Sequence, residues 1–404
     1  MKPAQDGISN GHSGRLREGY GMNMSRDRLA PAAGQGTSAS NVAATVRSRA
    51  EFSSSHGLDA FVQFSACGSR DLTVAATLRG KSGVRWTNFA IGTAIVGAFL
   101  FACALRAAEL RQPKPVPRLQ AIPLPRQEIS FQRDGIEIAR YCFATNQNRP
   151  FVYPIIGPSG RSLTRMGHPR DPESHSHHNS VWLSHHDVNG SDFWGDGGKA
   201  RIVHQRLEQI EDGDARAFVR TSSVWLGTNQ TVLLRERRQT GLQLLLHDEW
   251  ILIIDVQLEA ASTEVTFGKT PFGLIGVRMA KTLGVNDGGG TIRNSSGGVN
   301  EQEVFWEPAR WVDYSGPITA NAVEGLTLFD HPDNPNHPAV FHVRNDGWMG
   351  PSLTFAEPRG LVPGKPLKLR YGLFVHAGMP AAKEVEFRWK KFAEEAPVDF
   401  PAQK

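Results

Sequence analysis

Six of the fourteen histidines in this chain fall in one stretch, HPRDPESHSHHNSVWLSHHDVNGSDFWGD (168–196): His168, His175, His177, His178, His185 and His186. Asp187, Asn189, Asp192 and Asp196 lie among them, as do Trp182, Phe193 and Trp194. Imidazole is the side chain best suited to proton transfer near neutral pH and to metal ligation, so the stretch has the composition of a site.

Three chemistries fit it. On an extended strand His175 and His177 share one face while His178 points the other way. With Asp187, His185 or a distant residue as a third ligand, His175 and His177 can hold one divalent metal such as zinc, iron or copper. Without a metal, His177 or His178 serves as general acid or base, with Asp192 or Asp330 as the carboxylate partner. The third reading is a polar loop whose histidines make turn hydrogen bonds. A cofactor is therefore either absent or one divalent metal.

Asp192 followed by Phe193-Trp194 pairs a carboxylate with an aromatic ring, the usual equipment of a sugar site, with Trp194 as the stacking surface. Asn189-Gly190 reads as a tight turn. Arg278 stands on the otherwise apolar GLIGVRMA and needs either a carboxylate partner or an anionic ligand, because a buried unpaired charge is costly. Two later segments, EPARWVDYSGPI (307–318) and LFDHPDNPNHPAVFHVRNDGWMG (328–350), form a second polar and aromatic cluster. In the second of these, His342 and Arg344 share one strand face. The candidate ligand-binding residues are Trp194, Asn189, Arg278, Trp311, His342 and Arg344, in a pocket formed if both clusters open at one end of the fold. No G-x-S-x-G elbow accompanies them, which argues against acyl transfer. GGGTIRNSSGG (288–298) lacks the Lys-Ser/Thr of a phosphate loop and reads as a hairpin turn.

The elements that must position these residues are strands. From 127 to 380 short alternating segments follow one another, such as 135–143, 215–226, 230–240, 242–260, 264–279 and 367–377. Ile254, Val256 and Leu258 against Asp255, Gln257 and Glu259 give the period of two expected of a half-buried strand. Gly, Asn, Asp and Pro turns separate them, so the expected fold is all-β: a large antiparallel β-sandwich. Only residues 381–404 begin with a helical pattern, expected as a short C-terminal helix on the sandwich edge.

Upstream, residues 1–85 are rich in Ser, Gly, Ala and Arg and are expected to be disordered or an over-extended start, with translation beginning near Leu78 or Val84. Residues 86–108 combine basic flanks, an apolar run and an A-x-A-like end, as in a secretory signal peptide or a membrane anchor. Leu100-Phe101-Ala102-Cys103 adds a loose lipobox. Residues 109–126 are a Pro-rich linker. This predicts a periplasmic or secreted protein, with membrane contact only through 86–108 if that segment is uncleaved.

The net charge is +5, yet residues 1–108 carry twelve Lys/Arg against six Asp/Glu, which leaves 109–404 near −1. The folded part has no basic footprint for nucleic acid. Cysteines stand at 67, 103 and 142, so the domain has neither a disulfide framework nor a cysteine-based zinc site.

RPFVYPIIGPSG (149–160), SHHNSVWLSHHDVNGSDFWGD (176–196), FGLIGVRMA (272–280), WVDYSG (311–316) and LFDHPDNPNHPAVFHVR (328–344) resemble the bacterial DUF6807 family, often labelled "methane oxygenase PmoA" or PmoA-like. The resemblance spans roughly 127–380. It implies a sugar-related role rather than methane oxidation, because the membrane methane monooxygenase subunit of that name is a multi-span helical protein. In layout the chain also resembles the galactose-mutarotase-like supersandwich, whose enzymes use histidines with a carboxylate base. The glutamate expected just upstream of PDNPN (332–336) is replaced by Thr327, with Asp330 nearby, which departs from simple epimerases. The expected ligand is a small molecule or oligosaccharide. The expected activity is epimerase, lyase or hydrolase-like acid–base chemistry, or binding alone as a carbohydrate-binding module.

Overall fold

Alternation along the strands decides the architecture, because each strand has to bury one face. The computed structural model describes residues 114–167 and 175–401, together with three strands further upstream. The chain divides into two units, 1–112 and 113–404. In the first, Val46–Ser53, Asp59–Cys67 and Asp71–Arg79 form a three-stranded antiparallel sheet. They fall within 1–85, where the sequence shows no sustained period. The local alternation of Leu72, Val74, Ala76 and Leu78 accompanies the last strand. The rest of 1–85, the apolar segment 86–108 and His168 lie outside the described residues. Among the described residues no helix is long and apolar enough to cross a membrane.

The second unit is an antiparallel sandwich of two large sheets. One has nine strands in the order Glu307–Pro308, Val340–Arg344, Trp348–Ser352, Leu274–Arg278, Val181–Ser184, Phe151–Ile155, Ile136–Cys142, Glu128–Arg133 and Leu119–Leu124. The other has eight, in the order Thr291–Asn294, Trp311–Thr319, Ala322–Asp330, Leu367–Ala377, Trp250–Ala260, Val232–Leu244, Arg216–Leu226 and Arg201–Glu211. Neither closes into a barrel. Val181, Leu183, Ile275, Val277, Phe341 and Val343 from the first sheet join Val219, Leu234, Leu252 and Leu328 from the second in one core.

The linker expected over 109–126 ends early, since Leu119–Leu124 is the outermost strand of the nine-stranded sheet. Leu119 and Ala121 are buried, and Pro123 is tolerated there because an edge strand has ladder positions that need no donor. Residues 242–260 and 264–279 each split in two. Chain reversal at 245–249 separates the strands ending at Leu244 and starting at Trp250, and Val265–Phe267 leaves to pair with Arg359–Leu361.

The C-terminal helix, Ala382–Ala393, covers the middle of the eight-stranded sheet rather than its edge. Ile251, Trp311, Phe329 and Phe374 make the outer face of four adjacent strands apolar, and Val385 and Phe392 pack onto it. Gly372 leaves room for the Phe392 ring, since a Cβ there would come within 2.9 Å of its Cε2. Two residues on from Trp311 along the same strand face, the fully buried Asp313 carboxylate takes hydrogen bonds from His376, Thr327, Ser315 and Arg293. Burial raises its pKa, but His376 and Arg293 outweigh that and bring it down to about 2. Phe392→Ala is expected to destabilise the domain by about 3–5 kcal/mol in urea unfolding. A loss below about 1 kcal/mol would mean that the helix is a dispensable appendage.

Candidate functional site

The same alternation that sends Val181, Leu183, Ile275, Val277, Phe341 and Val343 inward puts Trp182, Gly276, Arg278, His342 and Arg344 on the outer face of the nine-stranded sheet. Trp182, Trp194 and Trp348 pack there with Cys142 and Phe151 as a separate aromatic cluster. Gly276 is a requirement of that packing: a Cβ on it would lie 2.6 Å from Cζ2 of Trp182. Above this floor opens a pocket of roughly 510 Å³, lined by His175, His177, His178, His186, Asp192, Trp194, Gly195, Phe272, His342, Arg344, Asp346 and Trp348. Three loops and one hairpin build it: 175–178, 185–196, the turn at 272, and 342–348. The two clusters expected from the sequence do meet, through the 342–348 half of the second.

The 175–178 segment is a turn and not an extended strand, closed by the His178 amide donating to the His175 carbonyl at 3.1 Å. The rings of His175 and His178 therefore stack, 4.4 Å apart and 15° from parallel, while His177 stands edge-on at 4.5 Å from His178. His175 and His177, the pair expected to share a metal, meet edge-on with ring centroids 5.9 Å apart. Asp187, the expected third ligand, is turned away. It accepts the Gly190 amide at 2.8 Å and abuts Gly268, outside the pocket lining. Among the described residues no group of three or more His, Cys, Asp or Glu is arranged to hold a metal.

One side chain fixes the loops. Arg149 is buried, and its guanidinium donates to the carbonyls of His177, Phe193, Trp194 and Gly195 and to the side chains of Asn179 and Asp196, at 2.6–3.2 Å. His185 pins the other side of the loop, with Nε2 3.0 Å from Thr354 Oγ1 and Nδ1 2.9 Å from the Asp187 carbonyl. Asp192 is positioned by the amides of Trp194 and Gly195, which donate to Oδ1 at 2.7 and 3.0 Å. His186 Nδ1 lies 3.3 Å from the same oxygen. Both side chains are about half exposed, at 54% and 42%.

His177, His178 and His342 are held towards the neutral form. Burial, then the neighbouring His177, Arg278 and His175, push His178 well below the ordinary imidazole range. Burial lowers His177 as well, partly offset by Asp196. His342 is lowered to about 4 by burial and by Arg344. Nδ1 of His178 and Nε1 of Trp348 are buried with no hydrogen-bond partner among the described residues.

The other expected site residues have structural duties. Trp194 lines the pocket but is 4% exposed, its ring wedged 5.1 Å from both Trp182 and Phe272, so it is a wall rather than an open stacking surface. Asp330 is buried outside the pocket and organises the 331–339 loop, accepting from Asn334, His337 and the Ala339 amide. Trp311 lies under the C-terminal helix and donates to Glu386 at 2.9 Å. Asn189 has φ 50° and caps the Thr266 amide, a turn role away from the pocket. Arg278 pairs with Asp346 at 3.1 Å, the structural half of its two readings. His342 and Arg344 do face the pocket, and Arg344 pairs with Glu301 at 3.0 Å. His186, Phe272, Asp346 and Trp348 complete the lining without having been singled out. His186 was visible in the histidine run, whereas the glycines that seat the tryptophans gave no local signal.

The fold and the pocket define a β-sandwich protein with a histidine- and tryptophan-lined cavity on one outer sheet face. A family profile described as "Family of unknown function (DUF6807)" matches residues 128–390, and the chain belongs to that family. A comparison with curated proteins returned no match.

Arg149→Met should cost about 3–5 kcal/mol in denaturant unfolding, since it strands several buried carbonyls. Lysine, with three donors for six contacts, should not restore it. Stability also acquires a pH dependence from His342. The unfolded chain takes up its proton near pH 6.5, the folded one only near 4. That contribution is complete above 6.5 and is lost as pH falls from there to 4. His342→Gln should flatten the corresponding slope, and an NMR titration of His342 with a midpoint near 6.5 would contradict the assignment.

Proposed function

We propose that the pocket binds a carbohydrate or sugar-derived small molecule, and that His186 and Asp192 act on it as an acid–base pair. The observation that carries this is the fixed, half-exposed carboxylate beside an imidazole. Asp192 is held by two amides, its Oδ1 faces His186 Nδ1, and the ring keeps Nε2 to take or give a proton. Neutral His177, His178 and His342 suit hydroxyl groups, which both donate and accept, better than they suit a charged ligand. Phe272, Trp194 and Trp348 supply apolar area. Asp192 keeps the carboxylate role expected for it. The proton-transfer role moves from His177 and His178, which line the wall, to His186. Asp330, outside the pocket, takes no part.

This reading agrees with the sugar-related role implied by the resemblance noted in the sequence. It is compatible with the periplasmic or secreted location expected from the apolar segment 86–108, and methane oxidation has no part in it. The reaction class is epimerisation, elimination or hydrolysis at a sugar carbon. In each case the dyad would move one proton while the imidazole wall holds the hydroxyls in place.

Calorimetric titration of the purified domain with neutral sugars and uronic acids, followed by product analysis, tests the proposal. His186→Asn and Asp192→Asn are expected to leave affinity within about tenfold, roughly 1.4 kcal/mol, while turnover drops by about 10²–10⁴. Binding without turnover in the unmodified protein would make it a binding module. Failure to bind any sugar would discard the carbohydrate reading.

A further inference from the structure

Trp306 stands just outside the pocket lining. It is 45% exposed, and no other tryptophan among the described residues is exposed to that extent. Its backbone φ is 62°, a left-handed conformation that a bulky side chain enters only at a cost. Among the described residues no other Trp, Phe or Tyr has a positive φ. The Trp306 amide donates to the Phe341 carbonyl at 2.8 Å, which ties this conformation to the strand carrying His342.

The ring is backed and not isolated. Phe305 stacks on it at 4.4 Å and 22°, and Phe355 meets it edge-on at 5.8 Å. On the pocket side, His342 lies 6.4 Å from Trp306 and 4.9 Å from Phe305. His342 also lines the pocket, so the aromatic surface runs out of the pocket and over its rim without a break. The Arg344 guanidinium lies over Phe305 at 5.6 Å, with Glu301 paired to it, and places polar groups beside the shelf. Glu303 and Glu307 nearby are exposed.

We propose that Trp306, supported by Phe305 and Phe355, is a second subsite: the place where the next ring of an oligosaccharide stacks when its first unit occupies the histidine pocket. The inference rests on the carbohydrate reading above and narrows it to an extended ligand. An exposed indole offers a flat apolar face to a sugar ring, and the charged flanks offer partners to its hydroxyls. A protein partner would need a broader apolar patch than one ring set among carboxylates. Exposure and a left-handed backbone both work against stability at this position, and glycine would remove both.

The test compares the unmodified protein with Trp306→Gly and Trp306→Phe. Each is titrated calorimetrically with glucose, xylose and galacturonic acid as monosaccharides and as their di-, tri- and tetrasaccharides. Affinity of the unmodified protein should rise from the monosaccharide to the longer chains. Trp306→Gly should lose about tenfold for the longer chains and nothing for the monosaccharide, with Trp306→Phe in between. Its Tm should be unchanged or higher, because glycine adopts positive φ freely, so a folding defect would not mimic the result. Length-independent affinity, or an equal loss for monosaccharide and oligosaccharide, overturns the second subsite and leaves the first intact. Absence of binding at every length overturns the carbohydrate reading together with it.

Discussion

The two loops that carry the pocket's histidine cluster and Asp192 depend on the hydrogen bonds of Arg149. A guanidinium has five N–H donors in a rigid planar fork, and here they reach six acceptors on two loops that have no regular structure of their own. Loops of that kind carry carbonyls that no ladder satisfies, and such groups are expensive to bury unpaired. Arg149 satisfies those of His177, Phe193, Trp194 and Gly195 at once, and Asp196 balances its charge at 3.1 Å. The turn bearing three histidines and the turn bearing Asp192 are thereby locked in one relative position. The chain can place polar groups on a sheet face without a helix or strand to hold them because one buried cation does so.

The division of labour among carboxylates follows from how many hydrogen bonds each has already accepted. Asp313 accepts four and Asp330 three, and both are buried; Asp255 takes Arg370 at 2.8 Å on each oxygen. Buried and turned onto protein donors, these three carboxylates present no open face to a ligand. Asp192 is different. Its Oδ1 is occupied by two amides, its Oδ2 has no hydrogen bond to the described residues, and the side chain is 42% exposed. A carboxylate that is fixed in position yet incompletely satisfied marks a site better than one that is merely near a histidine.

That criterion also explains which parts of the site could be read from the sequence. Period-two alternation is a local property, so the strands, the all-β sandwich and the pairing of His342 with Arg344 on one face were legible. The segment 168–196 was legible as a site because its composition is unusual over a short span. Asp330 and Asp192 look alike in sequence, each adjoining a phenylalanine (Phe329, Phe193) in a polar stretch. Only the fold assigns one to a loop's interior and the other to a cavity. The three-histidine turn was misjudged for a similar reason. S-H-S-H-H alternates like a strand, but the i to i+3 hydrogen bond from His178 to His175 costs nothing in pattern and reverses the geometry. Arg149 was hidden altogether, since a lone arginine before Pro-Phe looks like any surface charge until the loops that need it are in place.

The aromatic residues obey the same logic in reverse. Trp194 is adjacent to the carboxylate in sequence and attracts a stacking role, but a ring so close to Asp192 must share its loop's packing and becomes part of the wall. Trp306 has no charged residue beside it except Glu307 and no neighbour in the histidine run, and it emerges at the rim only because the strand from Val340 to Arg344 carries His342 beneath it. Exposure of a large ring is decided by where the sheet ends, and sheet edges are set by pairings between residues far apart in the chain. Glu307–Pro308 is the last, two-residue strand of the nine-stranded sheet. Among the described residues no further strand continues the sheet beyond it, so a side chain immediately before that edge has solvent on one side and the pocket on the other.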